Sequence, residues 1–169
     1  RSQTVEQGVR DLADFLHMLG NPVGVISAGN SQSLERFLDL NYPLSILDVQ
    51  RTMAVCAEDG AAAVILALSE ETLNDDALQS VNVDVLGCDD KGLSEAEIVK
   101  SVARFGCTVG KQTHIAGRTQ ESDALAAQAT EAYGQTDSSA LSLSIAMVLA
   151  AGVRKANIKS ALRVSRDLN

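Results

Sequence analysis

The first third of the chain combines an apolar stripe with a short apolar run, and these two patterns predict a helix followed by a strand. The stripe has spacings of three and four residues, which place its members on one face of a helix, and it ends before Gly20. Residues 23–26 form a β-branched run of strand length, and residues 34–40 are compatible with a helix. The predicted order is therefore helix, strand, turn and helix. The members of the stripe are Val5, Val9, Leu12, Leu16 and Leu19.

Apolar residues in the middle of the chain predict a second helix and two further strands. An amphipathic helix is predicted between Pro43 and Gly60. Residues 63–68 form a continuous apolar run, which is typical of a parallel strand covered on both faces, so we expect this strand at the centre of the sheet. A short polar helix is predicted over residues 69–78, and a strand over residues 81–86.

The last part of the chain is predicted to be mainly helical. Ser94 and Glu97 have the spacing of a capping box, which opens a helix that continues to Phe105. Weak strand signals follow at residues 107–109 and 114–115. Three further helices are then predicted over residues 121–133, from Ser138 or Ser139 to Gly152, and over residues 155–168.

The alternation of strands and helices predicts an α/β domain with three layers, in which a mostly parallel sheet has helices on both faces. The last three helices have no strands between them, so they form a helical C-terminal end. With 169 residues the chain fits one domain, and we expect residues 1–169 to share this fold.

Composition and charge exclude several classes of function. The chain has 14 basic and 22 acidic residues, and no basic stripe, which argues against nucleic acid as a partner. No apolar run approaches the roughly 20 residues that a bilayer requires, so we expect no membrane contact and a cytoplasmic location. The cysteines lack the close pairing of a zinc site, so we expect reduced thiols and no metal.

Residues 47–73 carry a resemblance to a known family. They read LDVQRTMAVCAEDGAAAVILALSEETL. This segment resembles the Mur ligases, especially those that add the third residue of the peptidoglycan stem peptide, in which a helix rich in Leu and Gln precedes a Gly, an apolar strand and a Glu-Val-Ser-Ser-His segment. Residues 20–38 lie where the family has Gly-Val-Thr-Gly-Thr-Asn-Gly-Lys-Thr-Thr and a helix. Residues 81–90, 92–105 and 139–162 are similar to later family segments in the same order.

The resemblance implies the ATP-binding central domain of that family, but the residues that carry its chemistry are replaced. Ser31 stands where the family has the phosphate-binding Lys, and Gln32 and Ser33 replace its two Thr. Ala67 stands at the magnesium-binding Glu and Glu71 at the His. Without the Lys and the metal carboxylate, charge on a transferred phosphoryl group has no compensating cation. We therefore expect a degenerate, catalytically inactive domain.

Two functions of different classes follow from these residues. The first is a binding or structural module without a cofactor, whose partner is another protein or a second copy of the chain. The alternative is an ATP-binding protein, an ATP-dependent amide ligase or a small-molecule enzyme that uses the loop after the first strand. Its ligand would be Mg·ATP or another small anion, because backbone amides at a helix N-terminus attract negative charge. The loop candidates are Gly29, Asn30, Ser31, Gln32 and Ser33, and an ordinary turn capped by serine is the simpler interpretation.

Three other polar residues are candidates for chemistry. Asp89 and Asp90 follow a predicted strand, where carboxylates hold metals or act as acid and base, although solvated or capping carboxylates are the simpler interpretation. His114 lies in a predicted loop not far from Cys107 in sequence, which gives the hypothesis of a Cys-His dyad without a third group.

Overall fold

The computed structural model describes residues 2–133 and 138–167. Within these residues no helix is both long and apolar enough to cross a membrane. A 3-10 turn, Ala103–Phe105, extends the third helix. The elements in chain order are α1 (Ser2–Met18), β1 (Val23–Ile26), β2 (Ser31–Ser33), β3 (Arg36–Leu38), α2 (Ile46–Glu58), β4 (Ala63–Leu66), β5 (Val85–Gly87), α3 (Glu95–Val102), β6 (His114–Ala116), α4 (Gln120–Tyr133), α5 (Ser139–Ala150) and α6 (Lys155–Asp167).

The strands form one mixed sheet and one small parallel sheet. The four-stranded sheet has the order β3-β2-β1-β4, in which only β1 and β4 are parallel, and β5 pairs with β6 in parallel. The prediction of an α/β fold is confirmed, but a mostly parallel sheet is wrong for the larger of the two sheets. The prediction that β4 is central is also wrong, because β4 is the last strand in its order.

The predicted helix over residues 34–40 is wrong, because these residues belong to a β-hairpin. Leu34 and Glu35 connect β2 to β3, and Ser33 is the register partner of Arg36. Leu34 has a φ of 56°, and its N–H donates to the carbonyl of Val23 at 3.0 Å. Pairing with β1, which lies earlier in the chain, therefore replaces the local hydrogen bonds that a helix would have made.

The predicted polar helix over residues 69–78 is wrong for the same kind of reason. Leu44 and Leu73 form an isolated parallel bridge, in which Leu44 N–H donates to the Thr72 carbonyl at 2.8 Å and Asn74 N–H donates to the Leu44 carbonyl at 3.0 Å. Leu78 N–H donates to the Phe105 carbonyl at 2.8 Å. The backbone of this segment bonds to distant parts of the chain and buries Leu73 and Leu78.

The two faces of β1 pack against different groups of residues. Val25 lies in an apolar cluster with Phe15 of α1 and Ile145 of α5. Ile26 points the other way, into a second cluster that includes Val49 of α2. Gly24 also faces α2, and a Cβ at this position would overlap the Sγ of Cys56. Glycine therefore allows the close approach of α2 to β1.

Helix ends follow the local signals in the sequence. The predicted capping box of α3 is confirmed, with Ser94 N–H donating to Glu97 Oε2 at 2.8 Å and Glu97 N–H donating to Ser94 Oγ at 3.3 Å. A second capping box, Ser45 with Asp48, begins α2 and was not predicted. The helical C-terminal end is confirmed as α4, α5 and α6, whereas residue 168, the predicted last residue of the final helix, lies outside the described residues.

Candidate functional site

The turn after β1 contains the candidate anion loop, and its centre is held by the hydroxyl of Ser31. Ser27 N–H donates to Ser31 Oγ at 3.2 Å, and Ser31 Oγ donates to the Ser27 carbonyl at 3.3 Å. The hydroxyl of Tyr42 donates to the same oxygen at 2.6 Å. Ser31 is fully buried and begins β2, so its hydroxyl closes the turn and faces away from solvent. Gly29 has a φ of +74°, which suits glycine at the tip of this turn.

The other loop candidates also bond within the chain. Gln32 Nε2 donates to Asn30 Oδ1 at 3.1 Å. Ser33 Oγ donates to Asp59 Oδ2 at 2.5 Å, and Arg36 Nη2 bonds to the same oxygen at 2.6 Å. The hydrogen bond from Ser33, followed by that from Arg36, lowers the pKa of the Asp59 carboxyl below its ordinary value. These contacts attach the hairpin to the end of α2.

A second buried polar group lies where β1 and β4 end. Thr72 Oγ1 accepts a hydrogen bond from Ala28 N–H at 3.0 Å and another from Ser69 Oγ at 3.0 Å. Ser69 and Thr72 are both buried, so this group is part of the interior. Ala67, which the sequence resemblance aligns with the magnesium-binding Glu of the Mur ligases, is fully buried, and Glu71 is exposed. The group connects the turn after β1 to the segment after β4.

The two aspartates after β5 are exposed and lie close to a polar cluster that the sequence did not predict. Asp90 Oδ1 accepts a hydrogen bond from Gly92 N–H at 3.0 Å, so this carboxylate bonds within a local turn. Asp89 is exposed. Lys91 Nζ lies 3.8 Å from Asp123 Oδ2, at the start of α4. In the described part of the chain, no group of three or more His, Cys, Asp and Glu residues could hold a metal ion.

Asp123 is the centre of this cluster. Its Oδ1 accepts from Ser142 Oγ at 2.6 Å and from Arg118 Nε at 3.0 Å. The bond from Ser142 is the main cause, and that from Arg118 the next, of a pKa for Asp123 below the ordinary carboxyl value. Ser122 Oγ lies 2.8 Å from Ser142 Oγ. We refer to Lys91, Arg118, Ser122, Asp123 and Ser142 as the Asp123 cluster.

The only local signal for the Asp123 cluster is the spacing of Thr119 and Ser122. Thr119 N–H donates to Ser122 Oγ at 2.9 Å, and Ser122 N–H donates to Thr119 Oγ1 at 3.0 Å, so the two residues cap the start of α4. Asp123 and Ser142 are distant in sequence. Only the packing of α4 on α5 brings them together.

His114 lies at the opposite end of the two-stranded sheet from Asp89 and Asp90. It begins β6 and is the register partner of Val85, whereas Asp89 and Asp90 follow the opposite end of β5. His114 lines a shallow open groove of about 720 Å³, together with Glu95 and Lys111. The structure therefore does not combine His114 with Asp89 and Asp90 in one site.

The thiols behave as interior groups. Cys56 is fully buried, and burial raises the pKa of its thiol. Cys107 is partly buried, its Sγ lies 3.9 Å from the Val102 carbonyl, and burial raises its pKa as well. A raised pKa keeps a thiol protonated at neutral pH, which disfavours it as a nucleophile.

Within the residues that the structure describes, the fold is α/β, and the buried polar side chains after β1 and β4 bond to other groups of the chain. Among the residues whose side chains the structure describes, every buried side-chain nitrogen and oxygen has a hydrogen-bond partner. No protein-family model, curated protein or solved structure matches the chain. The likeness to the Mur ligases therefore rests on the sequence segments quoted above.

Proposed function

We propose that the chain is a catalytically inactive, Mur-ligase-like α/β domain that acts as a binding module for a protein partner. The observation that supports this most directly is the environment of Ser31, which stands at the position of the family's phosphate-binding Lys. Its side chain is fully buried, and its hydroxyl bonds to Ser27 and Tyr42. A phosphate that used this group would have to break the contacts that close the turn.

The secondary structure after the turn supports the same proposal. Anion binding by backbone amides is strongest where a helix begins, because its first N–H groups are unpaired and its dipole is positive there. Here β2 begins at Ser31, and Ser33 and Arg36 direct their side chains to Asp59. The loop therefore lacks the helix start on which the ATP-binding alternative depends.

The proposal includes a three-layer arrangement and a cytoplasmic location. Opposite faces of β1 pack against α1 with α5 and against α2, which is the layering that a Mur-ligase central domain would require. The side chain of Phe37, which is apolar and 59% exposed, provides surface for association with another protein.

Calorimetric titration with Mg·ATP, combined with a nucleotide hydrolysis assay, tests the proposal. We expect neither heat of binding nor turnover. Saturable binding with turnover, both removed by Asn30→Ala, would establish the ATP-dependent alternative instead. Leu47→Ala is the matched control, because Leu47 is exposed on α2 and outside the loop.

A further inference from the structure

The hairpin leaves one edge of β3 without a partner strand. Two residues connect β2 to β3, so the flanking residues Ser33 and Arg36 exchange backbone hydrogen bonds. Hydrogen-bonded and non-bonded pairs alternate in an antiparallel ladder, so the N–H and C=O of Phe37 point away from β2. Among residues 2–133 and 138–167, no backbone or side-chain bond to these two groups occurs.

The side chains on one face of this edge have a simple pattern. Alternate residues of a strand lie on the same face, so Glu35, Phe37 and Asp39 are expected on one side. All three are exposed, and Phe37 is 59% exposed. Arg36 lies on the other side, where it pairs with Asp59. Neither Glu35 nor Asp39 has an ion pair within the described residues. We call the outward backbone of Phe37, with these three side chains, the β3 edge.

The charge of the β3 edge indicates what kind of strand would pair with it. An added strand with an apolar residue opposite Phe37 and basic residues opposite Glu35 and Asp39 would place opposite charges in directly facing positions, which stabilises a strand pair. A second copy of the chain, paired antiparallel about Phe37, would place acidic groups opposite acidic groups. The net charge of −8 adds to this repulsion.

We propose that the β3 edge binds an extended segment of a partner protein in which an apolar residue alternates with basic residues, so that the segment adds a fifth strand to the sheet. Backbone hydrogen bonds to Phe37 supply the attachment, and the flanking carboxylates select the basic segment. This inference rests on the proposed function as a protein-binding module and names the partner's chemistry.

The test is an NMR titration of the amides of the isotope-labelled chain with a capped pentapeptide, Lys-Thr-Ile-Thr-Lys. We expect shifts confined to residues 31–40, with the Phe37 amide moving downfield as it gains a hydrogen bond. The acidic peptide Glu-Thr-Ile-Thr-Glu is expected to bind about tenfold more weakly, because two facing pairs become repulsive. The double variant E35K/D39K should reverse this preference, and L47A should leave it unchanged.

Each remaining outcome overturns the proposal. The β3 edge would be excluded as the docking site by any of three results. The basic peptide fails to bind, it shifts amides outside residues 31–40, or it binds E35K/D39K as strongly as the wild type. A Phe37 shift that grows with protein concentration alone would identify a second copy as the occupant. A null peptide titration with no ATP binding would remove only this inference, whereas ATP turnover would remove the proposed function itself.

Discussion

Ser142, which is buried in the apolar helix α5, donates a 2.6 Å hydrogen bond from its Oγ to Oδ1 of Asp123 at the start of α4. Arg118, which follows β6, donates to the same oxygen at 3.0 Å. The carboxylate of Asp123 therefore joins the end of a strand to two helices. We interpret the Asp123 cluster as a structural link between these elements.

We expect Ser142→Ala to destabilise the chain by about 1 kcal/mol, because it removes a buried hydroxyl that bonds to both Ser122 and Asp123. Urea unfolding followed by circular dichroism measures the change. Ser144→Ala is the control, since Ser144 is also buried in α5 but bonds only to a carbonyl of its own helix. Equal losses for the two variants would argue against a special role for Ser142.

The free energy of unfolding should depend on pH in the acid range because of the Asp123 carboxyl. Its pKa in the folded chain lies below the ordinary value of 3.8, so its contribution is complete above that value and is lost as the pH falls through the lower folded pKa. We expect the difference in unfolding free energy between wild type and Asp123→Asn to stay constant from neutral pH down to 3.8 and to narrow below it. A difference that widens in acid would contradict this assignment.

Gly24→Ala should cost about 1–3 kcal/mol, because the new Cβ would overlap Cys56 Sγ in a packed interior. In a Cys56→Ala background the same substitution should cost less, since the overlapping sulfur is absent. A double-mutant cycle by thermal or urea unfolding measures this coupling. Gly8→Ala in α1, where nothing lies within 4 Å of the added Cβ, should instead be neutral or stabilising. Additive effects at Gly24 and Cys56 would show that α2 does not approach β1 as described.

Ser31→Ala should destabilise the chain by about 1–3 kcal/mol and Tyr42→Phe by about 1 kcal/mol. The serine hydroxyl bonds to the backbone of Ser27 as well as to Tyr42, whereas the tyrosine loses only one contact. Chemical denaturation of both variants checks the order. A Ser31→Ala chain as stable as the wild type would mean that these bonds contribute nothing to stability, which would remove the main argument against the ATP-binding alternative.

Elements with local signals were predictable from the sequence. The stripe of α1 ends at a glycine, and Ser94 with Glu97 fixes the start of α3, so neighbouring residues contain the required information. The hairpin was not predictable in this way. The apolar spacing of residues 34–40 also suits a helix, and the choice depends on an edge of β1 that lies earlier in the chain.

The candidate site shows the same division. The end of β1 and the turn after it were located correctly, but the burial of Ser31 depends on Tyr42 and on the hairpin. Asp123 had no distinguishing neighbour in sequence, because its partners Arg118 and Ser142 come from different elements. Individual residue positions at strand ends were therefore predictable, whereas their hydrogen-bond partners were not.

The parallel pairing of β1 with β4 has a consequence for the order of folding. The register pairs Val23 with Ala63, and α2 lies between these two residues in the sequence. In contrast, only a short turn separates β1 from β2. Closing a long loop costs more entropy than closing a short one, and nonlocal pairings form more slowly. We expect the three antiparallel strands to associate early, and β4 to join them only after the intervening helix has docked.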